Sequence, residues 1–181
     1  MGVAAIMTVP RFFEEKVPSY GVLKKYYDSG KVRLERNYQH SKLNGITREY
    51  YESGELWGVF NYKNGKLEGP SRAFLKNENL WVYRTFINGR EEGVTRAFYS
   101  DGSPESATSF VNGLQHGLYE RYYPDGTLMS KGAYVHGVKH GPQKEFSFDG
   151  KIKTMEFYSF GQLMSRSTYD EDGGFVTEDV F

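Results

Sequence analysis

Apolar and polar positions alternate along this chain in stretches of roughly six to eight residues, and each stretch ends at a glycine-bearing turn signal. Ile46 to Tyr51 is one such stretch and Leu56 to Tyr62 is the next. The pattern is periodic. Gly21, Gly45, Gly69, Gly93, Gly117 and Gly141 recur every 24 residues. With this leading glycine counted as position 0, position 5 holds Tyr26, Tyr50, Phe74, Phe98, Tyr122 and Phe146. Position 11 holds Val32, Leu56, Leu80, Pro104, Leu128 and Ile152, and position 17 holds Tyr38, Tyr62, Phe86, Phe110, Tyr134 and Tyr158. Two further glycine columns stand at positions 9 and 20, broken by Glu78 and Ser41. Self-similarity in this phase predicts tandem supersecondary units.

Each unit is expected to supply two strands joined at Ser/Asp-Gly or Asn-Gly junctions. A two-residue mirror turn would split the apolar columns between the faces, whereas a three-residue loop pairs position 5 with position 11 and keeps all three on one face. The bulged three-residue loop is therefore expected at both junctions, with glycine at its left-handed position. The fold class that follows is all-β: a single elongated, twisted antiparallel β-meander of about six 24-residue hairpin repeats. Residues 1–20 read as an N-terminal cap with a helical turn over Pro10 to Lys16, whose Phe12 and Phe13 cover the first hairpin. Residues 21–164 read as the six repeats. Residues 165–181 read as a degenerate acidic capping repeat, with Asp170 at position 5 and Glu171, Asp172, Glu178 and Asp179 discouraging edge-to-edge association.

Composition supports the pattern: 21 glycines with 15 Tyr, 13 Phe and 2 Trp suit short strands and tight turns. Charge narrows the partners. With 23 Lys+Arg against 23 Asp+Glu there is no basic stripe to draw nucleic acid, and a generic anionic membrane surface is not favoured. No cysteine is present, which excludes disulfides and thiolate metal sites and suits a reducing compartment. The short apolar run at the N-terminus lacks a basic leader, Ile6 breaks the myristoylation pattern, and no run reaches the ~18 apolar residues of a spanning helix. A cytoplasmic protein is expected.

The unit Gly-x-x-x-x-aromatic-Tyr-x-Ser/Asp-Gly-x-Leu, five further residues, then aromatic-x-Asn-Gly resembles the variant MORN repeat of YwqK-type antitoxin proteins. Residues 45–68, GITREYYESGELWGVFNYKNGKLE, carry the fullest likeness, which spans roughly 21 to 164. The resemblance implies a non-catalytic binding protein of the antitoxin or immunity type, whose partner is a toxin. A second reading is a MORN-type scaffold or peripheral membrane adaptor that binds acidic phospholipid head groups.

No catalytic constellation appears; P-loop, GxSxG and HExxH patterns are missing, and the glycines are assigned to turns. No enzyme activity and no cofactor are expected. His116 and His140 sit one unit apart, ~10 Å by strand spacing, too far to share an ion easily. His136 and His140 flank one turn without a third ligand, so no metal is expected. The Asp170 to Gly174 tail lacks the ligand spacing of a calcium loop. Position 3 carries a basic row of Lys24, Arg48, Arg72, Arg96 and Lys144, interrupted by Glu120. Arg48, Arg72 and Arg96 form either an anion-binding row or a set of guanidinium groups stacked on the aromatic columns.

The repeat explains residues found in every unit and leaves one-off large side chains unexplained. Trp57 and Trp81 share position 12 of adjacent units, with Tyr83 two residues on. Together with Tyr51, Leu75 and Tyr99 at position 6 they are expected to form a partner-binding patch on the non-core face. Cover by a terminus or a homodimer partner is the alternative.

Overall fold

The structure, a computed structural model, describes residues 17–181. The cap expected over residues 1–20, its helical turn and the placement of Phe12 and Phe13 therefore fall almost wholly outside the described residues. The rest is all-β. The strands are β1 (Tyr20–Tyr26), β2 (Val32–Gln39), β3 (Lys42–Tyr50), β4 (Leu56–Lys63), β5 (Lys66–Leu67), β6 (Gly69–Phe74), β7 (Leu80–Ile87), β8 (Arg90–Glu91) and β9 (Gly93–Phe98). They continue as β10 (Pro104–Val111), β11 (Leu114–Tyr122), β12 (Leu128–Val135), β13 (Val138–Lys139), β14 (Gly141–Phe146), β15 (Ile152–Ser159), β16 (Gln162–Tyr169) and β17 (Phe175–Val180). All belong to one open antiparallel sheet in which sequence neighbours pair side by side. The short β5, β8 and β13 are the starts of strands interrupted just before a leading glycine.

The two junctions differ. At the first, Tyr51 N–H donates to Glu55 O and Gly54 N–H to Tyr51 O, closing a three-residue loop with Gly54 left-handed at φ 116°. Position 5 then pairs with position 11, as expected, in every unit from Tyr26↔Val32 to Phe146↔Ile152. The second junction is a two-residue mirror turn and not the bulged loop anticipated for it. Lys63 pairs with Lys66 across Asn64 and Gly65, whose φ values are 51° and 82°. Both central residues of such a turn take positive φ, which asparagine and glycine accept most readily.

The leading glycines are not turn residues. Gly45, Gly69 and their equivalents lie within or at the start of a strand at positive φ, where the register slips between the turn and the next unit. A second irregularity follows position 11. Tyr50 pairs with Leu56 but Glu49 pairs with Gly58, so Trp57 is an extra residue, and every unit repeats this bulge at position 12. One inserted residue moves the rest of the strand to the other face.

The three apolar columns consequently do not share a face, which corrects the expectation. Columns 5 and 11 lie on an outer face with columns 3 and 14, where the Lys131 ammonium stands 5.9 Å from the Phe146 ring centre and Phe98, Pro104 and Arg96 line one cleft. Column 17 lies on an inner face with columns 2, 13 and 15, where the Tyr119 and Tyr134 rings approach to 5.2 Å. The buried centre is on that inner face and is mostly small or polar: Leu34, Thr47, Ser71, Ser130 and Gln143. Such a sheet gains its stability from contacts between neighbouring units more than from one deep core.

The exceptions to the glycine columns are informative. Ser41 at φ 58° and Glu78 at φ 65° keep the backbone that glycine holds in other units. A left-handed residue with a Cβ costs ~1–2 kcal/mol, partly offset by its smaller unfolded-state entropy. Glu78→Gly and Ser41→Gly are each expected to raise stability by ~0.5–1 kcal/mol, read as a higher midpoint in denaturant; no gain in either would show that the loops are not strained as described.

The last copy departs from the others. Ser165 replaces the leading glycine, the associated slip is reduced, and Glu156 pairs with Arg166 where earlier units pair Arg36 with Thr47. Tyr169, not Asp170, therefore takes the position-5 role opposite Phe175. Asp170 instead caps the final loop, its Oδ1 accepting from the N–H groups of Asp172 and Gly174. Arg166 Nη2 reaches Glu156 Oε1 at 2.6 Å and ties β15 to β16. Burial pushes the Glu156 carboxyl up, but hydrogen bonds from Arg166 and Tyr158 and the charges of Lys139 and Arg166 outweigh it and hold the group below its usual range. A depressed folded value gives stability that is present above the unfolded pKa of ~4.3 and lost as pH falls through the folded one. The thermal midpoint should drop on acidification below that point, and Glu156→Gln should flatten part of the drop; an unchanged acid slope would refute the linkage.

Candidate functional site: the tryptophan groove and the basic row

The residues expected to form one patch are divided by the bulge. At position 12 the extra residue turns to the inner face, and the Trp57 ring packs against Phe60 with centres 5.7 Å apart. Trp57 and Trp81 flank β6 and form the two walls of a groove of about 250 Å³. Ser71 and Ala73 make its floor, Phe60 and Phe86 extend its walls, and Arg84 stands at the rim. Trp81 remains 43% exposed, a large surface for an indole. Arg84 has only a long ion pair to Glu91 at 3.9 Å. Ser71 is buried, and its hydroxyl has no hydrogen-bond partner among the described residues.

Tyr83 is on the outer face, with the Arg72 guanidinium 5.6 Å from its ring centre. Tyr51 and Tyr99 serve the fold. Their hydroxyls donate to Phe74 O at 2.9 Å and Tyr122 O at 2.6 Å, and Tyr27 and Tyr123 do the same to the next unit. Position 6 is thus a ladder that ties four of the loops to their neighbours, interrupted at Leu75 and at Ser147. A neutral hydrogen bond contributes ~1 kcal/mol. Tyr51→Phe should therefore cost about that much and Leu75→Tyr should gain a similar amount by reaching Phe98 O; equal midpoints in urea for all three proteins would dismiss the ladder.

The basic row lies on the outer face. Arg48 is half-buried near Glu35, whose carboxyl is held low by its hydrogen bond from Lys24, with smaller help from Arg48. Lys24 reaches Glu35 at 2.6 Å. Arg72 and Arg96 are exposed, lie across from Tyr83 on either side, and make no ion pair among the described residues. Arg72 stacks on Tyr83, Arg48 lies across from Glu35, and Arg96 lies across from Tyr83 without a stacking contact.

His116 and His140, equivalent by sequence, belong with Glu68 and Glu92 to one column of acceptors. Position 23 accepts from the backbone N–H of position 19 in the next unit: Asn88 to Glu68 and Asn112 to Glu92, both 2.8 Å. His116 and His140 do the same through Nδ1, from His136 N–H at 3.4 Å and Phe160 N–H at 3.3 Å. The signal was a recurring acceptor immediately before the leading glycine, hidden because Glu and His differ so much as letters. The His116 and His136 rings are 5.0 Å apart, closer than the His116 to His140 spacing considered from sequence. No group of three or more metal-ligating side chains occurs among the described residues.

A family model of the MORN repeat variant matches residues 20–40, 43–64, 115–136 and 139–158. The unmatched middle holds Glu78, Trp81 and Pro104, so the groove is walled by one matched and one divergent unit. No curated protein matches the chain. Among solved structures, a crystal structure of TarM is 17% identical with a TM-score of 0.32, over 49% of this chain and 17% of that one. A mutant of S. aureus TarM in complex with fondaparinux, alpha-GlcNAc-glycerol and UDP is 15% identical with a TM-score of 0.35, over 53% of this chain and 19% of that one. The chain spans under a fifth of the length of either, and superpositions this loose bear on neither fold nor activity.

Proposed function

The chain is a MORN-like repeat protein, and from that premise we infer that it acts without catalysis, as an interaction module that holds a protein partner in the Trp57–Trp81 groove. Exposed aromatic clefts built from residues that a fold does not require are characteristic partner sites, and tryptophan and arginine are the usual anchors. The groove supports this reading most strongly because its walls are indoles and phenyl rings that the repeat does not demand. In its finer form the reading is an antitoxin or immunity-type protein that neutralises a toxin by covering its working surface. The likeness of the repeat to YwqK-type antitoxins supports that form.

The test is capture from the producing organism with the wild-type chain and with the Trp57→Ala/Trp81→Ala double variant. A stoichiometric partner retained only by wild type, and toxic to a host unless the wild-type chain is co-expressed, is expected. A partner held equally by both proteins, or none at all, would sink the proposal. A second reading rests on Arg72 and Arg96, which are exposed, without an ion pair among the described residues, and set on either side of Tyr83. It is a scaffold that binds acidic phospholipid head groups through the basic row. Sedimentation with phosphoinositide vesicles that is abolished by charge reversal of Arg48, Arg72 and Arg96 would favour it.

A further inference from the structure

Trp57 and Trp81 occupy the same position in adjacent units and are separated by the single strand β6. Two strand spacings put their backbones ~9.6 Å apart. A polyproline II helix advances ~3.1 Å per residue with three residues per turn, so its repeat is ~9.3 Å. An extended β-strand repeats its side chains every ~6.7 Å and does not match. Between the indoles the floor is Ala73, whose methyl group leaves the space above β6 open.

Polarity points the same way. Neither indole N–H has an acceptor among the described residues. The carbonyls of a polyproline II segment are unpaired along its length. Indole faces pack on proline rings while indole N–H groups donate to the carbonyls between them, as in other aromatic-lined grooves for such segments. At one end stands Arg84, its side chain 49% exposed and its ion pair to Glu91 long. Glu91 Oε1 also accepts from the Thr95 hydroxyl, so the exposed Arg84 is held only at 3.9 Å and a ligand carboxylate can compete for it.

We propose that the groove takes a proline-rich segment of the partner in the polyproline II conformation, laid across β4, β6 and β7 with an acidic residue at the Arg84 end. The proposal rests on the interaction-module reading and specifies its ligand class.

The experiment titrates the full chain into a labelled twelve-residue peptide with prolines every third residue and one terminal glutamate, followed by fluorescence anisotropy. Saturable binding is expected, weakened about tenfold or more by Trp81→Ala. Trp81→Phe keeps the ring, loses the N–H donor, and should weaken binding several-fold. Arg84→Glu should weaken the glutamate peptide and recover affinity when that residue is lysine. No saturable binding at millimolar chain, equal binding by a peptide with alanine for every proline, or indifference to Trp81→Ala would each overturn the proposal. Loss of peptide binding alongside a native partner that still needs both tryptophans would remove the ligand class and leave the interaction module standing.

Discussion

Gly132→Ala is expected to destabilise the protein by roughly 2–4 kcal/mol and to lower its thermal midpoint by roughly 5–15 °C. Gly132 has no unusual backbone angle, so strain is not the cause. The cause is space on the inner face. A Cβ added there would meet the Gln143 amide, lying 2.6 Å from its Cδ, and would lie 2.8 Å from Tyr119 Cε1. Gln143 is 4% exposed, and its Nε2 donates to Ala133 O at 2.9 Å and His140 O at 3.2 Å. Moving it breaks its bonds to His140 O and Ala133 O, of which Ala133 O keeps the His140 N–H at 3.0 Å, and Tyr119 is held against Tyr134. Urea denaturation checks the value. Adding Gln143→Ala should make the pair cost less than the sum of the singles, because the obstacle is gone. A single-variant loss within ~0.5 kcal/mol would mean that the inner face is looser than described.

The Trp57→Ala/Trp81→Ala double variant should fold yet bind its partner at least a hundredfold more weakly. Truncation of a hot-spot residue costs ~2 kcal/mol or more, and a hundredfold change corresponds to ~2.7 kcal/mol. Folding should suffer much less. Trp81 is substantially exposed, and Trp57 gives up mainly its contact with Phe60. Calorimetry of the purified complex reads the first effect and denaturation of the free chain reads the second. Tyr83→Ala is the control, since Tyr83 lies on the opposite face beneath Arg72. A loss caused by Tyr83→Ala in place of the tryptophans would transfer the site to the basic face.

Much of this architecture was legible because a hairpin repeat must return glycine and ring-bearing side chains in step. The pairing of Tyr50 with Leu56 and the left-handed Gly54 hold as expected, although the premise that selected them, all three apolar columns on one face, does not. The face assignment did not, and the reason is a bulge with no residue signature. Position 12 is Arg33, Trp57, Trp81, Glu105, Met129 or Lys153. A column so varied gives no hint that it is the inserted residue, and one insertion exchanges the faces of everything after it. That is why Trp57 and Trp81 were recognised as exceptional but grouped with Tyr83, Tyr51, Leu75 and Tyr99, which lie elsewhere or serve the fold. The slip in the final copy was hidden for a related reason. Ser165 reads as a mild substitution for glycine, yet it shifts the register so that Tyr169 takes the place assigned to Asp170.

Hydrogen–deuterium exchange of the chain with and without its captured partner tests the groove most directly. Slowed exchange confined to Trp57–Phe60, Ser71–Ala73 and Trp81–Phe86 is the predicted outcome. Slowing that instead follows Arg48, Arg72 and Arg96 together with units beyond β9, and leaves the exchange of Trp57 and Trp81 unchanged, would contradict it.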